Sequence, residues 1–280
     1  MLRELAQSDV VRALQEDVGP ADLTAALIDS TRQARARVLA RESAVICGAP
    51  WVEATLRQIT PDARLTWHVR DGQRCAPDQV VLEIAGPARG LLTAERTLLN
   101  FLQLLSAVAT CTATYVQAVQ SVTGNQAQIV DTRKTLPGLR LAQKYAVCTG
   151  GGTNHRIGLY DAVLIKENHI AAAGGVTAVL QRAAAVAPTA KFVEIEVETL
   201  AQLAEALAAG ATMVLLDNMS LDMLREAVRL NAGRAILEVS GGVNLSTVRD
   251  IAATGVDRIS IGALTKDVKA IDFSMRFEEL

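Results

Sequence analysis

Aromatic residues make up only 3% of this 280-residue chain, so its core must be built from aliphatic side chains. An excess of one charge is also missing. With 28 Lys and Arg against 30 Asp and Glu, the net charge is -2, which excludes a bulk basic field for nucleic acid or for an anionic membrane. Any cationic site must therefore be local. The four cysteines (Cys47, Cys75, Cys111, Cys148) are far apart and form no C-x-x-C pair. That spacing argues against a disulfide framework or a zinc site and fits reduced thiols in a cytoplasmic protein. No low-complexity linker divides the chain. Charges interrupt the apolar pattern from Met1 to Leu14, so this segment reads as an amphipathic helix, not a secretory signal.

Charge is absent altogether between Arg96 and Asp131. The stretch Leu98 to Val119 is long enough to span a bilayer. However, Asn100, Gln103, Ser106, Thr110, Thr114 and Gln117 recur every three or four positions and form one polar stripe. That periodicity predicts a mostly buried helix of a soluble protein, at a subunit interface.

Half of the residues are hydrophobic, enough for one large domain or two unequal ones. The first part reads as a mixed α/β domain over residues 1–110. It has a helix near 8–17, a strand from Ala34 to Cys47, a helix from Pro50 to Ile59, strands at Leu65–Val69 and Val80–Ile84, and helices from Gly90 to Ser121. Beyond residue 128, β-rich runs alternate with Ala/Leu-rich helical patterns. The strands centre on Ile129–Asp131, Ala162–Ile165, Phe192–Glu196, Met213–Leu216, Ala235–Glu238 and Arg258–Ile261. This βα period predicts a parallel sheet over 111–265: an incomplete α/β barrel of about six units, with an open doubly wound sheet as the alternative on spacing alone. The tail 266–280 alternates like a strand and is expected to return to the first domain.

In parallel α/β folds the working residues sit at the C-terminal ends of strands. Here those ends carry Asp131-Thr132-Arg133-Lys134, Lys166-Glu167-Asn168-His169, Glu196, Asp217-Asn218, Ser240-Gly241-Gly242 and Ile261-Gly262-Ala263. From Asp131 to His169 there are six Lys or Arg against three acids, with His155 and His169 beside them. Cations converging on one rim repel unless an anion binds among them. Arg133 and Arg156 suit forked recognition of carboxylate or phosphate, and Lys134 and Lys166 supply point charges. Arg140 and Lys144, spaced i and i+4, read as a solvated helix face. Ser240-Gly241-Gly242, followed by a helix from near Asn244, points backbone N–H groups at an anion. Two readings stand for Glu196 and Asp217: carboxylates holding Mg²⁺ together with substrate phosphates, or partners of nearby Lys and Arg. His68 reads as a surface strand residue.

The blocks Asp131-Thr132-Arg133-Lys134-Thr135-Leu136-Pro137-Gly138-Leu139-Arg140, Gly150-Gly151-Gly152-Thr153-Asn154-His155-Arg156 and Leu164-Ile165-Lys166-Glu167-Asn168-His169 resemble those of the quinolinate phosphoribosyltransferases. The resemblance runs on through Glu194–Glu198, Leu215–Met219, Glu238–Gly242 and Ile261–Thr265, and the tail fits the bacterial form. It implies an N-terminal α/β sandwich-like domain beside an incomplete barrel. It also implies a homo-oligomer, a dimer or a hexamer of dimers, in which Arg96 reaches the neighbouring subunit's site. The implied reaction joins quinolinate to 5-phosphoribosyl 1-pyrophosphate, with loss of pyrophosphate and CO₂. By the same resemblance, Arg96, Thr132, Arg133, Lys134, His155, Arg156 and Lys166 bind substrate. Glu196 and Asp217 serve the ribose and Mg²⁺–pyrophosphate side, and Lys166 acts electrostatically. Ser240, Gly241, Gly242, Ile261, Gly262 and Ala263 hold the 5′-phosphate. Three rivals are a Schiff-base aldolase using Lys166, a non-catalytic phosphate-binding protein, and a molybdenum-transport-associated relative of the family.

Overall fold

The computed structural model describes residues 1–278. In chain order the elements are α1 (Leu2–Asp17), β1 (Gln33–Ala40), β2 (Ala44–Val45), α2 (Ala49–Ile59), β3 (Arg64–Trp67), β4 (Arg74–Cys75), β5 (Val80–Pro87), α3 (Ala88–Gln120), β6 (Gln128–Val130), α4 (Arg140–Thr149), β7 (Val163–Ile165), α5 (Glu167–Ala173), α6 (Val176–Ala183), β8 (Val193–Val197), α7 (Leu200–Ala208), β9 (Met213–Asp217), α8 (Leu221–Asn231), β10 (Ile236–Ser240), α9 (Val248–Ala252), β11 (Arg258–Ser260), α10 (Ala263–Lys266) and β12 (Phe273–Glu278). The chain divides into two compact units. The first comprises Met1–Ala113, Leu136–Gly151 and residues 267–278; the second comprises Thr114–Thr135 and Gly152–Lys266. Leu136–Gly151, which the sequence reading assigned to the barrel span, thus packs with the first unit.

The first unit is built on a four-stranded antiparallel sheet in the order β12-β1-β5-β3. The C-terminal strand β12 pairs with β1, Val38 opposite Met275 and Ala40 opposite Phe273. The expected strand from Ala34 to Cys47 is in fact two. β1 ends at Ala40, where Arg41-Glu42-Ser43 interrupts the alternation, and β2 pairs instead with β4. The polar stripe of α3 finds its use against β2 and the residues after it. Thr110 Oγ1 accepts from Val45 N at 2.8 Å, and Ser106 Oγ accepts from Cys47 N at 3.0 Å and donates to Cys47 O at 3.2 Å. These hydroxyls satisfy backbone groups that no strand partner covers. Although α3 is apolar enough to cross a membrane, Leu98, Leu102, Leu105 and Val108 are fully buried within the structure, as in a core helix. Three of the few aromatics cluster here. Trp51 is fully buried, its ring centroid 6.3 Å from Phe101 and 5.6 Å from Tyr145, and its Nε1–H donates to the buried Asp9 at 2.9 Å. Lys144 on α4 is 2% exposed, which overturns the solvated-face reading; Arg140 is half-buried.

The second unit is a six-stranded, all-parallel sheet in the order β6-β11-β10-β9-β8-β7. β7 to β11 lie side by side in chain order and β6 closes onto β11, so this is a barrel course left open between β6 and β7. Val, Ile and Leu dominate because strands covered on both faces cannot alternate freely with polar residues. Helix ends follow local rules. Thr199 and Gln202 form a reciprocal capping box on α7, and Gly210 follows that helix with φ +84°.

Candidate active site

Strand side chains alternate between faces, so one parity from each strand shares the barrel interior. On β7 this parity is Leu164, followed by Lys166; on β8, Glu194 and Glu196; on β9, Leu215 and Asp217; on β10, Glu238 and Ser240; on β11, Arg258 and Ser260. The register aligns them: Leu164 with Glu194, Glu196 with Leu215, and Glu238 with both Leu215 and Arg258. A cavity of about 300 Å³ opens over this layer. Of the residues expected at a site, Thr132, Arg133, Lys134, His155, Arg156, Lys166, Glu196 and Ser240 line it, joined by Leu164, Leu215, Glu238 and Ser260.

The rim is cationic. Lys166 Nζ lies 3.0 Å from Glu196 Oε2, and His169 Nδ1 accepts from Lys166 N at 2.9 Å, which ties the start of α5 to the end of β7. Arg156 is only 8% exposed, and its Nη1 donates to Ala162 O at 3.3 Å. Burial, and then repulsion from Arg133, lower its pKa. Two neighbouring guanidinium groups in a shallowly solvated pocket are an arrangement that an anion relieves. The following loop is tied down by Asp161, whose carboxylate accepts from Ile157 N at 2.9 Å and Gly158 N at 2.8 Å.

Asp217 ends β9 beside the cavity, though it is not part of its lining. Burial raises its carboxyl pKa, and Lys166 partly offsets this. Its carboxylate accepts from Asn218 Nδ2 at 2.8 Å. The glycine loops lie outside the lining too. Gly241 has φ +99°, and a Cβ there would sit 2.1 Å from Asn218 Oδ1, so the backbone crosses where no side chain fits. A Cβ on Gly262 would meet Lys134 Cδ at 3.0 Å. The helix expected from Asn244 begins only at Val248, because Asn244 to Thr247 are spent in turns held by the Asn244 and Thr247 side chains. The Ser240–Gly242 loop therefore does not run straight into a helix N-terminus. Ile261 is buried, Ala263 begins α10, and Arg96 lies exposed on α3 in the first unit. His68 is an exposed residue after β3, 3.7 Å from Glu83.

Glu194, Glu238 and Arg258 were missed by strand-end reasoning. His155 Nε2 is 2.8 Å from Glu194 Oε2 and 3.4 Å from Glu238 Oε1, and Arg258 Nε is 3.0 Å from Glu238 Oε2. Both glutamates are fully buried, and burial is the main cause that pushes each pKa up to about 7. His155, Glu194 and Glu238 can bring ligand atoms within 4.8 Å of one another, but Arg258 already supplies the positive charge there. The signal was present in the sequence: a Glu inside each of the apolar runs Phe192–Val197 and Ala235–Val239.

A parallel barrel whose strand ends converge cations on a cavity, with carboxylates on adjoining strands, defines an enzyme of the phosphate- and carboxylate-handling α/β class. The comparisons with known proteins narrow this class. Residues 22–106 match the quinolinate phosphoribosyl transferase N-terminal domain and residues 108–276 its C-terminal domain. The chain is 40% identical over 260 residues to the probable nicotinate-nucleotide pyrophosphorylase [carboxylating] of Bacillus subtilis, covering 93% of this chain and 89% of that one. It is also 40% identical over 279 residues to the nicotinate-nucleotide pyrophosphorylase [carboxylating] of Mycobacterium leprae, covering 97% of each. The solved nicotinate-nucleotide pyrophosphorylase of Francisella tularensis superposes with a TM-score of 0.94 at 41% identity, over 99% of this chain and 97% of that one. The chain belongs to the quinolinate phosphoribosyltransferase family.

Proposed function

We infer that this chain transfers the phosphoribosyl group of 5-phosphoribosyl 1-pyrophosphate to the ring nitrogen of quinolinate. Decarboxylation follows, yielding nicotinate mononucleotide, pyrophosphate and CO₂, a reaction of NAD biosynthesis. The observation that carries this reading, beside family membership, is the convergence of Arg133, Lys134, Arg156 and Lys166 on one cavity that also holds Glu196. Quinolinate carries two adjacent carboxylates, and forked guanidinium groups at Arg133 and Arg156 match them. Lys166, already paired to Glu196, is a charge for the substrate rather than a free amine for a Schiff base.

In this reading, departure of pyrophosphate leaves positive charge on the ribose, which Glu196 and Asp217 stabilise from adjoining strands. The ring nitrogen donates its pair to that carbon and becomes a pyridinium. The C2–carboxylate bond then breaks, with its electron pair held at C2 by the adjacent cationic nitrogen until a proton is taken up there. Lys134 and the backbone around Ser240, Gly241, Gly242, Ile261, Gly262 and Ala263 serve the phosphate side. Glu196 and Asp217 also fit Mg²⁺, since two carboxylates beside a phosphate-bearing substrate match its oxygen-ligand preference, and the half-buried Asp217 carboxyl, its pKa raised by desolvation, gains from a nearby cation. When bound, Mg²⁺ neutralises the departing pyrophosphate. The enzyme is cytoplasmic and works as a homo-oligomer, a dimer or a hexamer of dimers, with Arg96 completing the neighbouring site.

Incubating the protein with quinolinate, the phosphoribosyl donor and Mg²⁺ is expected to yield nicotinate mononucleotide and CO₂ in equal amounts, and far less product with nicotinate. Pyrophosphate release without CO₂, or equal use of nicotinate, would overturn the assignment.

A further inference from the structure

Both ring nitrogens of His155 are engaged inside the protein. The backbone N–H of Arg156 donates to Nδ1 at 2.8 Å. Nε2 lies 2.8 Å from the buried Glu194 carboxylate. A flipped ring would set carbon against both partners and lose both bonds. An N–H directed at Nδ1 requires a lone pair there, so the proton sits on Nε2 and donates to Glu194. The charged groups that face the ring are Glu194 of β8, Glu238 of β10 with its partner Arg258 of β11, Arg156 next in the chain, and Asp131 after β6. Asp131 Oδ1 accepts the backbone N–H of His155 at 2.8 Å. Phe192 meets the ring edge-on with centroids 5.2 Å apart, which restricts its rotation. His155 is 8% exposed and lines the cavity.

We propose that Glu194 and His155 are a positioning pair: Glu194 holds the imidazole as its neutral Nε2–H tautomer, and the imidazole, through Nδ1, fixes the Arg156 backbone so that its guanidinium meets the substrate carboxylate. His155 then offers the anion no ring nitrogen, and Glu194 acts through it without touching substrate. Charge is conserved in the arrangement. The neutral ring adds no further cation to a floor where Arg156 and Arg258 already stand, and Arg258 remains on Glu238. This inference rests on the quinolinate reading for its kinetic consequence but not for its structural claim.

The deciding measurement uses wild-type enzyme with ¹⁵N-labelled histidine; the chain has only three histidines, and His155→Asn assigns the signal. The expected spectrum shows His155 with a protonated Nε2 and an unprotonated Nδ1. That protonation pattern, one proton on Nε2 and none on Nδ1, holds between about pH 6 and about pH 8.5, where an ordinary imidazole titrates, and on saturation with quinolinate. An imidazolium in the free enzyme, or a change of tautomer when quinolinate binds, overturns the proposal. The free-enzyme spectrum decides the tautomer even if quinolinate proves not to be the substrate. Kinetically, Glu194→Gln keeps an acceptor for Nε2–H and should hold the quinolinate KM within about threefold. Glu194→Ala should raise it about tenfold, the scale of one lost hydrogen bond, with kcat changed less. Equal effects of Gln and Ala, or a loss confined to kcat, count against the positioning role.

Discussion

Replacing Arg133 with Ala tests the anion clamp most directly. Arg133 lines the cavity beside Arg156, is half-buried, and repels the Arg156 guanidinium. Removing one partner of a buried, hydrogen-bonded charge pair costs about 2–5 kcal/mol. At about 1.4 kcal/mol per factor of ten, this is a rise in Kd of about 30-fold to about 4,000-fold. Two features of the site favour the lower half of that range. Arg156 remains to hold one carboxylate, and losing Arg133 relieves the repulsion between the two. The expectation is a quinolinate Kd weakened about 100-fold by isothermal titration calorimetry. Arg133→Lys should recover part of this, because an ammonium keeps the charge but not the fork. The fold should survive. Loss of a half-exposed cation should change stability by about 1 kcal/mol or less, a melting shift within about 4 °C for a chain of this size. A quinolinate Kd unchanged by Arg133→Ala would refute the clamp, and a collapsed melting transition would refute the claim that Arg133 serves binding and not the fold.

Arg96→Ala and Lys166→Ala chains should each be inactive, yet recover activity when mixed and reassembled, since a heterodimer carries one intact site. No recovery in verified heterodimers would exclude a shared site. The buried Glu238 gives a pH signature of stability. Its carboxyl pKa is raised by burial from 4.5 to about 7, so the folded chain keeps a proton that the unfolded chain has lost. The stabilising contribution is complete below about pH 4.5 and is lost as pH rises through about 7. Glu238→Gln stays uncharged throughout, so the unfolding free energy of wild type relative to this variant, from urea titrations, should fall between pH 5 and pH 8 by an amount on the order of 2 kcal/mol. A difference independent of pH would show that Glu238 ionises freely in the folded protein.

Much of this molecule was legible in one dimension. A period of alternating β-rich and Ala/Leu-rich runs specified the parallel sheet, because strands covered on both faces need continuous apolar runs and crossovers need helices. The strand-end rule then selected half of the cavity lining: Thr132, Arg133, Lys134, Lys166, Glu196 and Ser240. Polar periodicity in α3 identified a packed helix before its hydrogen bonds to Val45 and Cys47 were known. Tertiary structure alone decided the rest. The stretch Asp131–His169 is continuous in sequence, but Leu136–Gly151 folds with the first unit, and Lys144 within it is buried. A spacing of i and i+4 says which residues share a helix face but not what covers that face. Likewise, His155, Glu194, Glu238 and Arg258 are scattered over a hundred residues. Only the register of β8, β10 and β11 brings their side chains together, since pairing across a parallel sheet depends on contacts that no local pattern encodes.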